Sequence, residues 1–179
     1  MAEAVTHTWP MRVTLAQVDR GGVDLRLVPD EAVRREIAKT LGLVSIESLE
    51  AEVFLRSWMD GAEISGLIRA RVIQTCSVTA DEFEEPIESR FTLHVLPADS
   101  EHAPQDEGGE LAINPEADDP PDVLEGETID VSAYVIEHLA LALDPFPRKP
   151  GAVFVPPPEP VDLSPFAALK SLKRDEPER

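Results

Sequence analysis

Met59-Asp60-Gly61 stands between two stretches whose apolar and polar residues alternate, and this pattern constrains the fold more than any other part of the chain. In residues 47–58, Ala51, Val53 and Leu55 fall on one side, with Glu50, Glu52 and Arg56 on the other. After the Asp-Gly pair, Ile64, Ile68, Ala70 and Val72 share a side opposite Glu63, Ser65, Arg69 and Arg71. Such period-two alternation puts successive side chains on opposite faces of a strand. Asp-Gly suits a tight hairpin that needs positive φ. The two stretches predict an antiparallel hairpin with one buried and one wet face. Residues 88–96 alternate in the same way, Phe91, Leu93 and Val95 against Arg90, Thr92 and His94, and predict a third strand of a meander. A further strand is expected over 9–18, where Met11, Val13 and Leu15 alternate with Arg12 and Thr14.

Two helices are expected beside these strands. Asp30 is a good N-cap, Val33, Ile37 and Leu41 form a four-residue stripe, and Lys39 with Gly42 closes the segment. Over 129–143, Asp130 or Ser132 can cap a helix whose stripe is Val131, Val135, Leu139 and Leu143. Ile136, Ala140 and Leu141 widen that stripe, so the helix is expected to be largely buried. The expected fold is α+β: an antiparallel β-meander core packed against two helices, in a single domain over 9–145.

The 179 residues carry 35 acids and 16 bases, a net charge of −19, distributed unevenly. Residues 91–147 contain fourteen acids and no lysine or arginine. Within them, 98–127 is rich in Pro, Gly, Asp and Glu, and cannot bury enough apolar surface to offset its ordering entropy. A long, disordered acidic loop is expected there, pinned by Leu111 and Ile113. A proline-rich tail, 146–179, follows. Near its end SPFAALKSLK (164–173) opens with serine as N-cap and proline at the first helical position, predicting a short amphipathic helix. Phe166, Leu169 and Leu172 give it an apolar edge, and Lys170 and Lys173 add charge. It either folds back on its own domain or docks in a partner's groove from a proline-rich spacer.

Charge and composition narrow the function. A surface this acidic repels phosphate backbones and anionic membranes, whereas basic proteins remain attractive partners. No basic n-region and apolar core opens the chain and no run nears 18 apolar residues, so a cytoplasmic protein is expected. One cysteine, Cys76, excludes an internal disulfide framework and a multi-cysteine zinc site. A free cysteine ordinarily serves as a small buried hydrophobe. Here it is a candidate nucleophile only with His94 or His138 in reach. His7, His94, His102 and His138 show no metal-ligand spacing. The clusters at Asp81-Glu82-Glu84-Glu85 and Asp118-Asp119 lack the ligand alternation of a calcium loop. No phosphate-binding glycine motif or nucleophile elbow occurs. No cofactor, metal or catalytic residue is therefore expected.

Three segments together resemble the YceD family, named for accumulation of the large ribosomal RNA subunit. They are GAEISGLIRARVIQTCSVTADEFEEPIESRF (61–91), GETIDVSAYVIEHLALALDPFPRKPG (126–151) and the tail SPFAALKSLK, which is similar to endings in alphaproteobacterial members. The resemblance spans 9–173. It gives Cys76, Asp130, Pro145 and Pro147 as the positions of the family's motif. Many members have a second cysteine three residues after the first; here that position is Thr79, which removes any paired-cysteine chemistry. The resemblance implies a non-enzymatic role in 23S ribosomal RNA accumulation and large-subunit assembly. It also implies a gene that commonly adjoins one for a small basic large-subunit ribosomal protein. Combined with the charge, this gives an assembly factor, monomeric, acting through a basic ribosomal protein or a pre-50S intermediate. Two alternatives remain: direct RNA contact through Arg69, Arg71 and Arg90 on one strand face, and a Cys76-dependent enzyme.

Overall fold

Alternation and capping decide most elements of the computed structural model, which describes residues 6–7, 9–104 and 119–154. In chain order these form β1 (Thr6–His7), β2 (Arg12–Thr14), α1 (Leu15–Asp19), β3 (Val23–Leu27), α2 (Glu31–Thr40) and β4 (Ser45–Trp58). There follow β5 (Gly61–Thr75), β6 (Glu82–Pro97), β7 (Asp122–Leu124), β8 (Thr128–Asp130) and α3 (Val131–Ala142). The main sheet has the order β1-β3-β4-β5-β6-β7. β4 to β6 pair antiparallel, as the meander pattern predicts; β3, which that pattern did not include, adds a further antiparallel pairing with β4, and β1 and β7 join the two ends in parallel. β2 and β8 form a separate antiparallel pair. The fold is α+β.

The hairpin faces are as the alternation predicts. Ala51, Val53 and Leu55 of β4 meet Ile64, Ile68, Ala70 and Val72 of β5 in the core. A bulge between Ile46 and Ser48 shifts the register, so that Ile46 and Leu49 both turn inward. The turn itself departs from the expectation. Trp58 pairs with Gly61, and the positive φ, 51°, belongs to Met59. Gly61 is needed for another reason: a Cβ there would lie 1.9 Å from the Val95 carbonyl oxygen. Gly66 likewise makes room for the Phe91 ring, which stacks on His138 of α3 at a centroid distance of 4.3 Å.

Several boundaries correct the sequence reading. The strand expected over 9–18 stops at Thr14, whose N–H is accepted by the Gln17 side chain at 2.9 Å, and α1 begins there. There are thus three helices rather than two among the described residues. β6 starts at Glu82 and runs through Pro86, tolerated because among the described residues β7 covers only Val95–Pro97 of its outer side. The acidic loop expected over 98–127 is interrupted by β7; residues 105–118, with Leu111 and Ile113, lie outside the described residues.

α2 follows its signals closely. Asp30 accepts the Val33 N–H at 2.9 Å, and Gly42 (φ 68°) ends the helix as the Leu43 N–H donates to the Ala38 carbonyl. In α3, Asp130 caps by accepting the Ala133 N–H, while Ser132 is buried and accepts the Met11 N–H at 2.7 Å. Val131, Val135 and Leu139 are fully buried, each contributing about 1.5–3 kcal/mol of burial. Leu141 is 73% exposed, so α3 buries one stripe and is not largely buried as its composition suggested. Side chains from all three helices share one core cluster with the sheet.

Candidate functional site

The sheet face away from the core is wet and charged. By register, Arg26, Arg56, Arg69, Arg71 and Arg90 share it with Asp24, Glu50, Glu52, Glu63, Glu84 and Glu88. The structure therefore brings Arg69, Arg71 and Arg90 onto one face, as the alternation predicts. It also neutralises two of them. Arg69 pairs with Glu88 at 3.3 Å and Glu52 at 3.9 Å, and Arg71 Nε donates to Glu84 at 2.7 Å. Glu50 holds the Arg26 guanidinium pKa above its ordinary value, by hydrogen bond first and by charge second. Exposed pairs of this kind stabilise little, but they cancel the field a phosphate backbone would need. A concavity of about 560 Å³ is lined by Arg34, Arg69 and Arg71 together with Glu47, Glu50 and Glu88. The basic patch read from sequence is thus a charge-balanced ladder.

Cys76, at the end of β5, is 2% exposed. Its sulfur accepts the N–H groups of Val78 (3.4 Å), Thr79 (3.5 Å) and Lys149 (3.4 Å). Ser77 donates both its N–H (2.8 Å) and its hydroxyl (2.9 Å) to the Pro147 carbonyl, and Lys149 reaches Asp81 at 3.3 Å. The chain beyond 145 therefore packs on the 76–81 turn as far as Lys149. Cys76 and Pro147 meet here, with Pro145 two residues away; Asp130, at the N-terminus of α3, pairs instead with Arg12 at 3.1 Å. His94 stacks on Trp58 and His138 on Phe91, and among the described residues neither is hydrogen-bonded to Cys76. The cysteine is a packing and hydrogen-bonding hub.

The Thr79 hydroxyl, and then the Lys149, Thr79 and Val78 N–H groups, lower the thiol pKa to about 7 against the opposing effect of burial. Because the folded pKa lies below the unfolded one, about 8.5, the thiolate's contribution is complete above that value and is lost as pH falls through about 7. Thiolate absorbance at 240 nm is expected to titrate near pH 7 in the folded protein. The gap in thermal stability between wild type and Cys76→Ala is expected to widen from pH 7 to pH 9. A midpoint at 8.5 or above would refute this electrostatic account.

A second cleft, of about 640 Å³, lies between α3, the end of β6 and the chain entering β7. Asp119, Asp122, Glu137, Tyr134, His94 and His138 line it, with no lysine or arginine. The Tyr134 phenol is held above its ordinary pKa, by burial first, then by the charge and hydrogen bond of Asp122 and the charge of Glu137. Sequence reading missed this cleft; its one signal was the absence of cations from 91 to 147. Among the described residues no cluster is arranged to hold a metal ion, and no helix is long and apolar enough to cross a membrane. Phe166, Leu169, Lys170, Leu172 and Lys173 lie outside the described residues.

A helix-backed, mostly antiparallel sheet with an acidic overall charge and one buried cysteine defines an acidic α+β protein. A family profile described as "Large ribosomal RNA subunit accumulation protein YceD" matches residues 64–173, more than half of the chain. The chain belongs to the YceD family, whose description ties it to large-subunit ribosomal RNA accumulation. Neither a curated protein nor a solved structure matches it.

Proposed function

We propose that this protein supports 23S ribosomal RNA accumulation and large-subunit assembly without catalysis, by holding a basic protein partner. The observation that carries the reading is the stretch 91–147, fourteen acids without one base, in a chain of the large-subunit RNA accumulation family. Such a field attracts basic proteins at long range and repels bare RNA. Two of the three arginines that could have gripped RNA, Arg69 and Arg71, are matched by glutamates. The partner is a basic ribosomal protein, free or on a pre-50S intermediate, and the factor works as a cytoplasmic monomer.

Sucrose-gradient profiles of cells lacking the protein, with 23S and 16S RNA quantified in the same samples, test this. A selective fall in 23S RNA and 50S particles is expected, and balanced RNAs with normal subunits would sink the proposal. Complementation separates the alternatives. Rescue by Arg69→Glu/Arg71→Glu/Arg90→Glu rules out direct RNA contact through that face, and rescue by Cys76→Ala rules out cysteine chemistry.

A further inference from the structure

β6 is the longest strand of the main sheet, and among the described residues only Val95, Leu96 and Pro97 have a strand neighbour on the side away from β5. Two observations establish which backbone groups face that open side. The Val95 carbonyl points at Gly61 on β5, and the β5–β6 register runs unbroken from Ala62 opposite Val95 to Thr75 opposite Glu82. Odd-numbered residues of β6 therefore turn their N–H and C=O toward β5, and even-numbered residues turn theirs outward. Pro86 falls in the outward set, where its missing N–H leaves the β5 ladder intact. Over 82–92 the edge thus offers six carbonyls and five N–H groups, and among the described residues no other strand or turn takes them.

The chemistry of this edge selects what can pair with it. Glu84 and Glu88 on it are already matched by Arg71 and Arg69, and Arg90 lies there too, so its excess acid is Glu82 and Glu85 together with the cleft of Asp119, Asp122 and Glu137 at its far end, which has no lysine or arginine. A second copy would bring the same glutamates against these. The chain's own residues 105–118 contain five acids and no base. Like charges directly opposed across a strand pair destabilise it, and opposite charges favour it. We infer that the open edge of β6 over residues 82–92 takes up an extended basic segment of a protein partner as an added strand, with a lysine or arginine of that segment in the cleft formed by Asp119, Asp122 and Glu137. Backbone pairing would supply affinity and the acidic cleft would set specificity and register. This deepens the proposed function and rests on its basic protein partner.

The test titrates the full chain with a fluorescein-labelled peptide alternating lysine and valine, read by anisotropy, with amide hydrogen exchange followed in the same mixture. Exchange at Glu82, Glu84, Glu88, Arg90 and Thr92 is expected to slow about tenfold or more on binding. A peptide N-methylated at alternate residues should bind about tenfold more weakly, since it cannot donate to the edge. A glutamate–valine peptide should not bind. Thr92→Pro removes one outward N–H and Glu137→Lys places a cation in the cleft; each should weaken binding about tenfold. Where Thr92→Pro fails to fold, Glu137→Lys carries the test.

Peptide binding without protection of these amides overturns the inference, because acids elsewhere then hold it. Protection already present in the free protein also overturns it. A rise of that protection with protein concentration assigns the edge to a second copy, and independence from concentration assigns it to the chain itself. If the edge fails while basic ribosomal proteins are still captured, the proposed function stands and only this docking mode falls. If the edge binds peptide while the gradient profiles are normal, the docking mode stands and the assembly role falls.

Discussion

Gly61→Ala is expected to cost about 3 kcal/mol or more and to lower the thermal midpoint by about 10 °C. The added Cβ would lie 1.9 Å from the Val95 oxygen and 3.0 Å from the Leu96 Cα, both backbone atoms. Neither can give way easily, since Val95 is paired with Ala62 on one side and Asp122 on the other. Gly61→Asn discriminates between packing and turn geometry. Asparagine tolerates positive φ, so it would rescue a glycine needed for the turn. Packing predicts that it fails at least as badly as alanine. Met59→Gly, at the residue that does hold positive φ, should stay within about 1 kcal/mol of wild type. Thermal melts of the three variants decide the matter, and a stable Gly61→Asn would refute the packing account.

Converting the seven acids of residues 99–118 to their amides is expected to slow association with purified basic large-subunit ribosomal proteins by about ten- to a hundredfold at low salt. The dissociation rate should change little, because steering acts on encounter rather than on the docked contacts. The substitution leaves β7 intact, since that strand begins at Asp122, and it leaves the Asp119, Asp122 and Glu137 cleft in place. Stopped-flow rates against ionic strength are the measurement. The wild type should show a steep fall with salt and the amide variant a shallow one. Equal rates and equal salt slopes would remove long-range attraction from the proposed function.

The elements most legible in the sequence were those whose signals are local and strong. The β4–β5 hairpin followed from alternation on both sides of Asp60-Gly61, and α2 from Asp30, its stripe and Gly42. The strand over 9–18 misread because Thr14 and Gln17 form a helix start inside an alternating run, and two patterns competed over the same residues. β3 was passed over although Val23, Leu25 and Leu27 alternate with Asp24 and Arg26; five residues between glycines and a proline carry a weak signal. β6 was cut short because Pro86 argues against a strand unless its position at an edge is known. The site was less legible than the fold. Arg69, Arg71 and Arg90 do share one face, but the charge of Arg69 and Arg71 was misjudged because their partners Glu88 and Glu84 belong to another strand.

Local patterns and sums were enough for the α+β class, the central hairpin, the cap of α2 and a net charge of −19. Each of these rests on residues within a few positions of one another, or on sums that need no arrangement. The tertiary structure decided the rest. It brings Arg69 to Glu88 across 19 residues, Ser77 to Pro147 across 70, Cys76 to Lys149 across 73 and Met11 to Ser132 across 121. It also decides that Gly61 serves packing rather than the turn, and that one side of β6 lies open among the described residues. Capping and alternation act over a few bonds. Charge cancellation, close backbone approach and edge exposure depend on which distant segments lie side by side, and only the folded chain establishes that.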